Sequence, residues 1–128
     1  MNYVIVVDTD ILIDADRGIE QARLFLNKIS SENILAISEI TVMEIIVGCK
    51  NKNELFTAEK YLSQFMIYKI NEQISDKALS LLKIYNLSHG LLIADSFIAA
   101  TAIITGSHFS TKNQKHFRFI KDLELIDY

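Results

Sequence analysis

The hydrophobic positions alternate between two spacings along the chain, which predicts strands and helices in turn. Short apolar runs, typical of parallel strands covered on both faces, separate longer stretches whose apolar residues lie three and four positions apart. The predicted strands are Tyr3–Val7, Ile34–Ile37, Met66–Ile70, His108–Ser110 and Leu123–Ile126. The predicted helices are Asp10–Ala15, Ile19–Ile29, Thr41–Val47, Glu54–Phe65, Glu72–Leu87 and Asp95–Thr105. This alternation predicts a layered α/β fold with a mostly parallel sheet.

Composition narrows the class of protein. The 128 residues are half apolar, carry a net charge of −3 and include the single Cys49. This length predicts one domain over residues 1–128. One cysteine excludes an internal disulfide and favours a reducing, cytoplasmic location. The longest apolar stretch, Leu91–Gly106, is interrupted by Asp95 and is too short to span a membrane, so we expect no membrane association.

Three acidic residues occupy positions that favour chemistry. Asp8 directly follows the first predicted strand, where open α/β sheets place their ligand crevice. Glu44 lies among apolar neighbours, where a carboxylate needs a partner or a cation. Asp95 is the only charge in an alanine-rich helix. Carboxylates without His or Cys partners suit Mg²⁺ or Mn²⁺, and such sites hydrolyse phosphodiesters with metal-activated water.

Each of these acids also has a structural explanation. Asp8 could cap the helix that follows it, although Asp10 is the better candidate for that cap. Thr41 and Glu44 match the capping-box spacing, which would make Glu44 structural. Asp95 could cap its own helix. The sequence leaves each alternative open, but the occurrence of all three acids together favours a site.

A basic segment near the C-terminus is the second candidate feature. Four positive charges occur within ten residues without an intervening acid, at Lys112, Lys115, Arg118 and Lys121. In a chain of negative net charge such a segment locally attracts phosphates, although most such runs are simply solvated surface.

These residues resemble a known family, the PIN-domain nucleases, and most closely the VapC-type toxin ribonucleases of toxin–antitoxin pairs. The matching segments follow the family order and span nearly the whole chain: Val7–Asp14, Ile37–Gly48, Ile93–Ala102 and Ser110–Phe117. The most specific of them are the stretch that begins at Asp95 and the Thr-x-Asn-x-x-His-Phe pattern that begins at Thr111.

The resemblance implies a three-layer α/β/α fold with about five strands and an endoribonuclease that depends on Mg²⁺ or Mn²⁺. It also implies a homodimer and inhibition by a small cognate antitoxin. The catalytic and metal-binding residues would be Asp8, Glu44 and Asp95. Thr9, Thr111 and Asn113 would be auxiliary polar groups, and Lys112, Lys115 and Arg118 would steer the RNA backbone.

One departure from the family keeps other functions open. Many members carry a fourth acid near the position of His116, which leaves open whether one or two metal ions bind. A catalytically inactive PIN-like module that binds RNA or protein is therefore an alternative. The Asp8-Thr-Asp10 opening also resembles the nucleophile motif of haloacid-dehalogenase-type phosphatases, a third and weaker alternative.

Overall fold

The computed structural model describes residues 3–128, which form four strands, six α-helices and one short 3₁₀ helix. The strands are β1 (Val4–Val7), β2 (Ile34–Ser38), β3 (Met66–Tyr68) and β4 (His108–Ser110). The α-helices are α1 (Thr9–Asp16), α2 (Glu20–Ser30), α3 (Glu39–Val47), α4 (Lys52–Leu62), α5 (Glu72–His89) and α6 (Ile93–Thr105). A 3₁₀ helix covers Gln114–His116. Within the described range, no helix is both long and apolar enough to cross a membrane.

The four strands form one parallel sheet in the order β3-β2-β1-β4. Because β1 lies between β2 and β4, its backbone is paired on both edges. Val6 aligns with Ala36 on one side and with Phe109 on the other. The strand that precedes Asp8 is thus an interior strand, which explains its continuous apolar sequence.

Helices cover both faces of this sheet and create two cores. Val6 belongs to the core beneath α5 and α6, together with Ala78 and Ala100. Its neighbours Ile5 and Val7 point to the opposite core, beneath α1 and α2. Side chains of successive strand residues face opposite sides of a sheet, so the two cores confirm the predicted α/β/α layering.

The predicted fifth strand over Leu123–Ile126 is reduced to one parallel bridge. The Phe109 N–H donates to the Glu124 carbonyl at 2.8 Å, and the Ile126 N–H donates to the Phe109 carbonyl at 2.9 Å. Leu125 forms the bridge with Phe109, but its own N–H bonds back to the Leu123 carbonyl at 3.1 Å. The pairing with β4 ends at this one bridge, so residues 123–126 do not form a strand.

Candidate active site

Asp8 is both the cap of α1 and a buried polar group at the carboxyl end of β1. Its Oδ1 accepts from the Thr9 N–H at 2.8 Å, and its Oδ2 accepts from the Thr111 hydroxyl at 2.7 Å. Only 6% of Asp8 is exposed. Capping and a site role are therefore compatible, because capping occupies just one of the two carboxylate oxygens.

The sheet register explains how Thr111 reaches Asp8. In the parallel pairing of β1 with β4, Val7 lies opposite Ser110. The Asp8 N–H continues this ladder by donating to the Ser110 carbonyl at 2.9 Å. The residues that follow the two strands are therefore neighbours, although they are far apart in sequence.

The expectation that Asp10 is the better cap was wrong, because α1 begins at Thr9 and Asp8 caps it. Asp10 lies in the first turn, and its Oδ2 accepts hydrogen bonds from the loop after β4. The donors are the Thr111 hydroxyl and the backbone N–H groups of Lys112 and Asn113, each at 3.1 Å. Its Oδ1 is buried and has no hydrogen-bond partner among residues 3–128.

Glu44 does not form the capping box that its spacing with Thr41 allows. The cap of α3 is Ser38, whose Oγ accepts from the Ile40 N–H, so Thr41 lies inside the helix and is fully buried. Glu44 Oε1 instead accepts from the Thr9 hydroxyl at 2.7 Å, and Thr9 Oγ1 lies 3.0 Å from Thr41 Oγ1. Two threonines thus connect α1 to α3 beside this carboxylate.

The expectation that apolar neighbours would enclose Glu44 was wrong. Glu44 is exposed, as are its apolar helix neighbours Met43, Ile46 and Val47. The apolar sequence of α3 made every neighbour a candidate core residue, but Thr41 is the only residue of this helix that is fully buried. The carboxylate therefore reaches solvent and needs no partner to offset burial.

Asp95 is not a cap, because α6 begins at Ile93 and its cap position, Leu92, makes no side-chain bond. Asp95 lies half-buried in the first turn, where the partial positive charge of the helix N-terminus favours an anion. Burial is nevertheless the main cause that raises its pKa, followed by the charge of Glu44. The nearby His116 opposes this rise.

Electrostatic interactions connect four acids, namely Asp8 after β1, Asp10 on α1, Glu44 on α3 and Asp95 on α6. The pKa of Asp8 rises to about 7, chiefly because of burial and then because of the negative charge of Asp10. Asp95 raises it further, whereas hydrogen bonds from Thr111 and Thr9 lower it. The pKa of Asp95 in turn responds to Glu44 and Asp10. The three predicted acids and Asp10 therefore occupy one electronegative region.

These carboxylates fit a hard divalent cation in chemistry but do not form a finished coordination shell. Among the described residues, no three side chains of His, Cys, Asp or Glu lie in an arrangement ready to hold a metal ion. Oxygen donors nevertheless dominate the region, and Asp10 Oδ1 is buried without a donor. A cation would offset both the burial of these carboxylates, which is the main cause of the raised pKa values of Asp8 and Asp95, and the repulsion from neighbouring acids, which adds to it.

The side chains of the basic segment have different environments in the structure. Lys112 Nζ forms an ion pair with Asp14 Oδ2 at 2.8 Å, and the hydrogen bond that Lys112 donates to Asp14 is the main cause that raises the pKa of Lys112. Lys115 and Arg118 are exposed, and neither takes part in the ion pairs found within residues 3–128. Lys115 and Arg118 thus make no ion pair within the described residues, whereas Lys112 is paired with Asp14 and remains partly exposed.

The fold and site define an α/β/α protein with a carboxylate cluster at the carboxyl edge of a parallel sheet. Residues 5–121 match the PIN domain family. Ribonuclease VapC10 of Mycobacterium tuberculosis is 31% identical over 122 residues, which cover 94% of this chain and 91% of that protein. The chain therefore belongs to the PIN-domain family and, within it, is similar to VapC proteins.

Solved structures agree with this assignment. A chain of the toxin–antitoxin complex from Klebsiella pneumoniae superposes with a TM-score of 0.80 at 31% identity, with 95% of each chain covered. A chain of VapBC2 from Rickettsia felis, crystallised with a promoter DNA fragment, superposes with a TM-score of 0.82 at 24% identity and 98% coverage of both chains. The comparisons give no support to the phosphatase alternative.

Proposed function

We propose that this protein is a Mg²⁺- or Mn²⁺-dependent endoribonuclease and the toxin of a toxin–antitoxin pair. The observation that carries the proposal is the placement of the acids at one edge of the sheet: Thr9, whose N–H bonds to Asp8, donates its hydroxyl to Glu44 at 2.7 Å. Asp95 is near enough for its charge to act on Asp8 and for that of Glu44 to act on Asp95. Relatives named ribonucleases, similar over almost the whole chain, support RNA as the substrate. The inactive PIN-like module is the remaining alternative.

Asp8, Glu44 and Asp95 are the residues that would hold the cation. When bound, the ion would polarise the scissile phosphate and acidify a water molecule, so that no protein nucleophile is needed. Thr111 orients Asp8 through its hydroxyl, and Thr9 orients Glu44 in the same way. The side chain of Asn113 is exposed beside them and suits a hydrogen bond to a phosphate oxygen.

Positive side chains next to this cluster would bind the RNA backbone. Lys115 and Arg118 lie on either side of His116 in sequence, and the charge of His116 lowers the pKa of Asp95. RNA bound by these two side chains would therefore lie beside the acids. Lys112 contributes less to this attraction, since Asp14 already neutralises it.

The decisive experiment compares Asp95→Asn with the matched control Asp76→Asn, which changes an exposed carboxylate on α5. Purified parent protein should cleave RNA when Mn²⁺ or Mg²⁺ is added and should stop in EDTA. Asp95→Asn should lower cleavage at least about a hundredfold because it removes an oxygen from the cation site, whereas the control should cleave normally.

Two results would contradict the proposal. Full cleavage by Asp95→Asn would exclude Asp95 from the reaction. RNA binding that persists in EDTA, with no cleavage by the parent protein on addition of Mn²⁺, would establish the inactive module instead. Circular dichroism of each variant shows whether the fold is retained.

A groove between α1, α3 and α4 is the site that we propose for the antitoxin. It has a volume of about 600 Å³, and its lining includes the apolar residues Leu12 and Ile45 as well as Asp16 and Glu54. An apolar segment that carries basic side chains would match it. The antitoxin-bound relative from Klebsiella pneumoniae supports such a partner. Asp16→Lys should weaken binding of the co-expressed antitoxin without lowering RNA cleavage.

A second copy of the chain is the other expected partner. Large apolar side chains are exposed where α5 leads into α6, namely Ile84, Leu87, Leu92 and Ile93. Such a patch is unusual on a monomer and favours a homodimer interface. Leu87→Glu should convert a dimer into a monomer in sedimentation analysis, whereas Leu24→Glu on α2 should not.

A further inference from the structure

The loop that follows β4 is attached to α1 through a single carboxylate oxygen. Residues 111–113 have no regular secondary structure, so their backbone N–H groups need partners outside a ladder or helix. Asp10 Oδ2 accepts from the N–H groups of Lys112 and Asn113 and from the Thr111 hydroxyl, each at 3.1 Å. One oxygen thus receives donors from three consecutive residues.

The same contacts determine where the Thr111 hydroxyl points. Thr111 Oγ1 accepts from the Asn113 N–H at 3.1 Å, which leaves its single proton to donate. Asp8 Oδ2, at 2.7 Å, is closer to Thr111 Oγ1 than Asp10 Oδ2 is, at 3.1 Å. The proton therefore goes chiefly to Asp8, while Asp10 holds the backbone of the loop.

The position of Asp10 is electrostatically unfavourable unless its contacts offset the cost. Its charge is the second largest cause of the raised pKa of Asp8, and its Oδ1 is buried without a partner among the described residues. Hydrogen bonds from N–H groups to a carboxylate are stronger than those to a neutral oxygen. The helix does not need Asp10 as a cap, because Asp8 already caps it. The hydrogen bonds that Asp10 accepts from the loop therefore explain why a charged residue is present at this position.

A second contact joins the same two segments one helical turn further on. Lys112 Nζ pairs with Asp14 Oδ2 at 2.8 Å, but 44% of the Lys112 side chain is exposed. Exposed ion pairs stabilise little, so the pair assists the attachment without fixing it. The bonds to Asp10 carry most of the hold on the loop.

We propose that Asp10 is a positioning residue, which attaches residues 111–113 to α1 and thereby directs the Thr111 hydroxyl to Asp8. The inference rests on the proposed nuclease function only in the test that measures RNA cleavage. The attachment itself is a property of the metal-free protein and is tested without any substrate.

The first test measures backbone amide exchange by NMR in the presence of EDTA. Asp10→Ala removes the acceptor, so exchange at Lys112 should accelerate at least about tenfold, with the core amides of β1 unchanged. Exchange at Asn113 should accelerate less, because its N–H keeps the Thr111 hydroxyl as an acceptor. Asp10→Asn retains one acceptor oxygen and should give a smaller increase. Asp14→Ala, which breaks only the ion pair, should leave these amides within about threefold of the parent. Parent-like exchange in both Asp10 variants would overturn the proposal.

The second test separates positioning from general destabilisation. Asp10→Ala should lower kcat for RNA cleavage with KM little changed, and Asp10→Asn should restore part of the loss. In a Thr111→Val background the same Asp10 substitution should cost much less, because the hydroxyl that it positions is gone. Equal losses in both backgrounds would contradict the proposal. If the parent protein cleaves no RNA, the nuclease function fails, and the exchange experiment alone decides the role of Asp10.

Discussion

At the scale of the residue, Asp8 combines burial, capping and a close negative neighbour. Its raised pKa, about 7, means that the folded protein binds a proton more tightly than the unfolded chain does. The free energy of unfolding therefore decreases as the pH rises from about 4 to about 7, and it stays reduced by the full amount above that range. The buried Asp8 carboxylate thus lowers the stability of the metal-free protein, and perturbed carboxylates of this kind are common at functional sites.

Asp8→Asn should therefore raise the stability of the metal-free protein at high pH. The substitution removes a charge whose burial costs on the order of a few kcal/mol. The melting temperature of the variant in EDTA should exceed that of the parent at pH 8, and the difference should shrink toward pH 4, where the parent Asp8 is protonated. A difference that does not vary with pH would contradict this account. Asp76→Asn, on the exposed face of α5, provides the control.

At the scale of the element, the sequence of α6 both places Asp95 at the predicted site and allows close packing of the helix. Its first turn presents Asp95, and its later turns are alanine-rich so that they pack closely against the sheet and α5. Ala99, Ala100 and Ala102 are fully buried. Small side chains allow this close approach, which keeps the first turn of α6 near β1.

Enlarging one of these alanines should destabilise the protein. Ala100→Leu adds three carbon atoms to a filled core and should cost about 1–3 kcal/mol. Denaturation by urea measures this loss. Ser80→Leu, which adds comparable bulk at an exposed position of α5, should change stability by less than about 0.5 kcal/mol. A small effect of Ala100→Leu would mean that α6 can move away from the sheet.

The order and type of the elements could be predicted from apolar spacing and from the glycines that end α5 and α6. Gly90 and Gly106 adopt φ values of 71° and 67°, the left-handed conformation that such helix ends favour. Helix starts were less predictable, because several neighbouring residues can serve as a cap. Thus α3 begins after Ser38 rather than at Thr41.

The site was predictable only in part for a similar reason. The position of Asp8 after a strand and the apolar neighbours of Glu44 and Asp95 predict these three acids as candidates, although Glu44 is exposed in the structure. The role of Asp10 depends on the register of β1 with β4, which brings it to residues 111–113. A pairing between such distant segments leaves no mark in local sequence spacing, although the Asp-x-Asp pattern is a weak signal for a second acid.

At the scale of the whole molecule, the positive segment includes His116, whose charge acts on Asp95, and we expect the negative cluster and the positive segment to bind different ligands. A cation bound to the folded protein stabilises it by mass action, and protons compete with it for the carboxylates. Mn²⁺ should therefore raise the melting temperature of the parent protein, more at pH 8 than at pH 5.5. Asp95→Asn should reduce this increase. NaCl at matched ionic strength is the control, and an equal increase with NaCl would contradict specific binding.

The positive segment should govern affinity for RNA and its dependence on salt. Replacing Lys115 and Arg118 with Glu should weaken binding of a non-cleavable RNA at least about tenfold and should flatten the salt dependence. Lys60→Glu together with Lys83→Glu, which makes the same total charge change at exposed positions of α4 and α5, should have a much smaller effect. Fluorescence anisotropy across a salt series distinguishes these results. Equal effects of the two changes would indicate a general charge effect.

The parallel pairing of β1 with β4 has a consequence for the growing polypeptide. A ribosome that has synthesised the chain as far as Gly106 has already made all three predicted cation ligands and β2, but it has not yet made β4, the second neighbour of β1, or the loop that contacts Asp8. Until β4 and Thr111 have been made, the edge of β1 that pairs with β4 is open and Asp8 lacks its hydroxyl donor. Premature termination should therefore yield fragments that are inert and prone to aggregate.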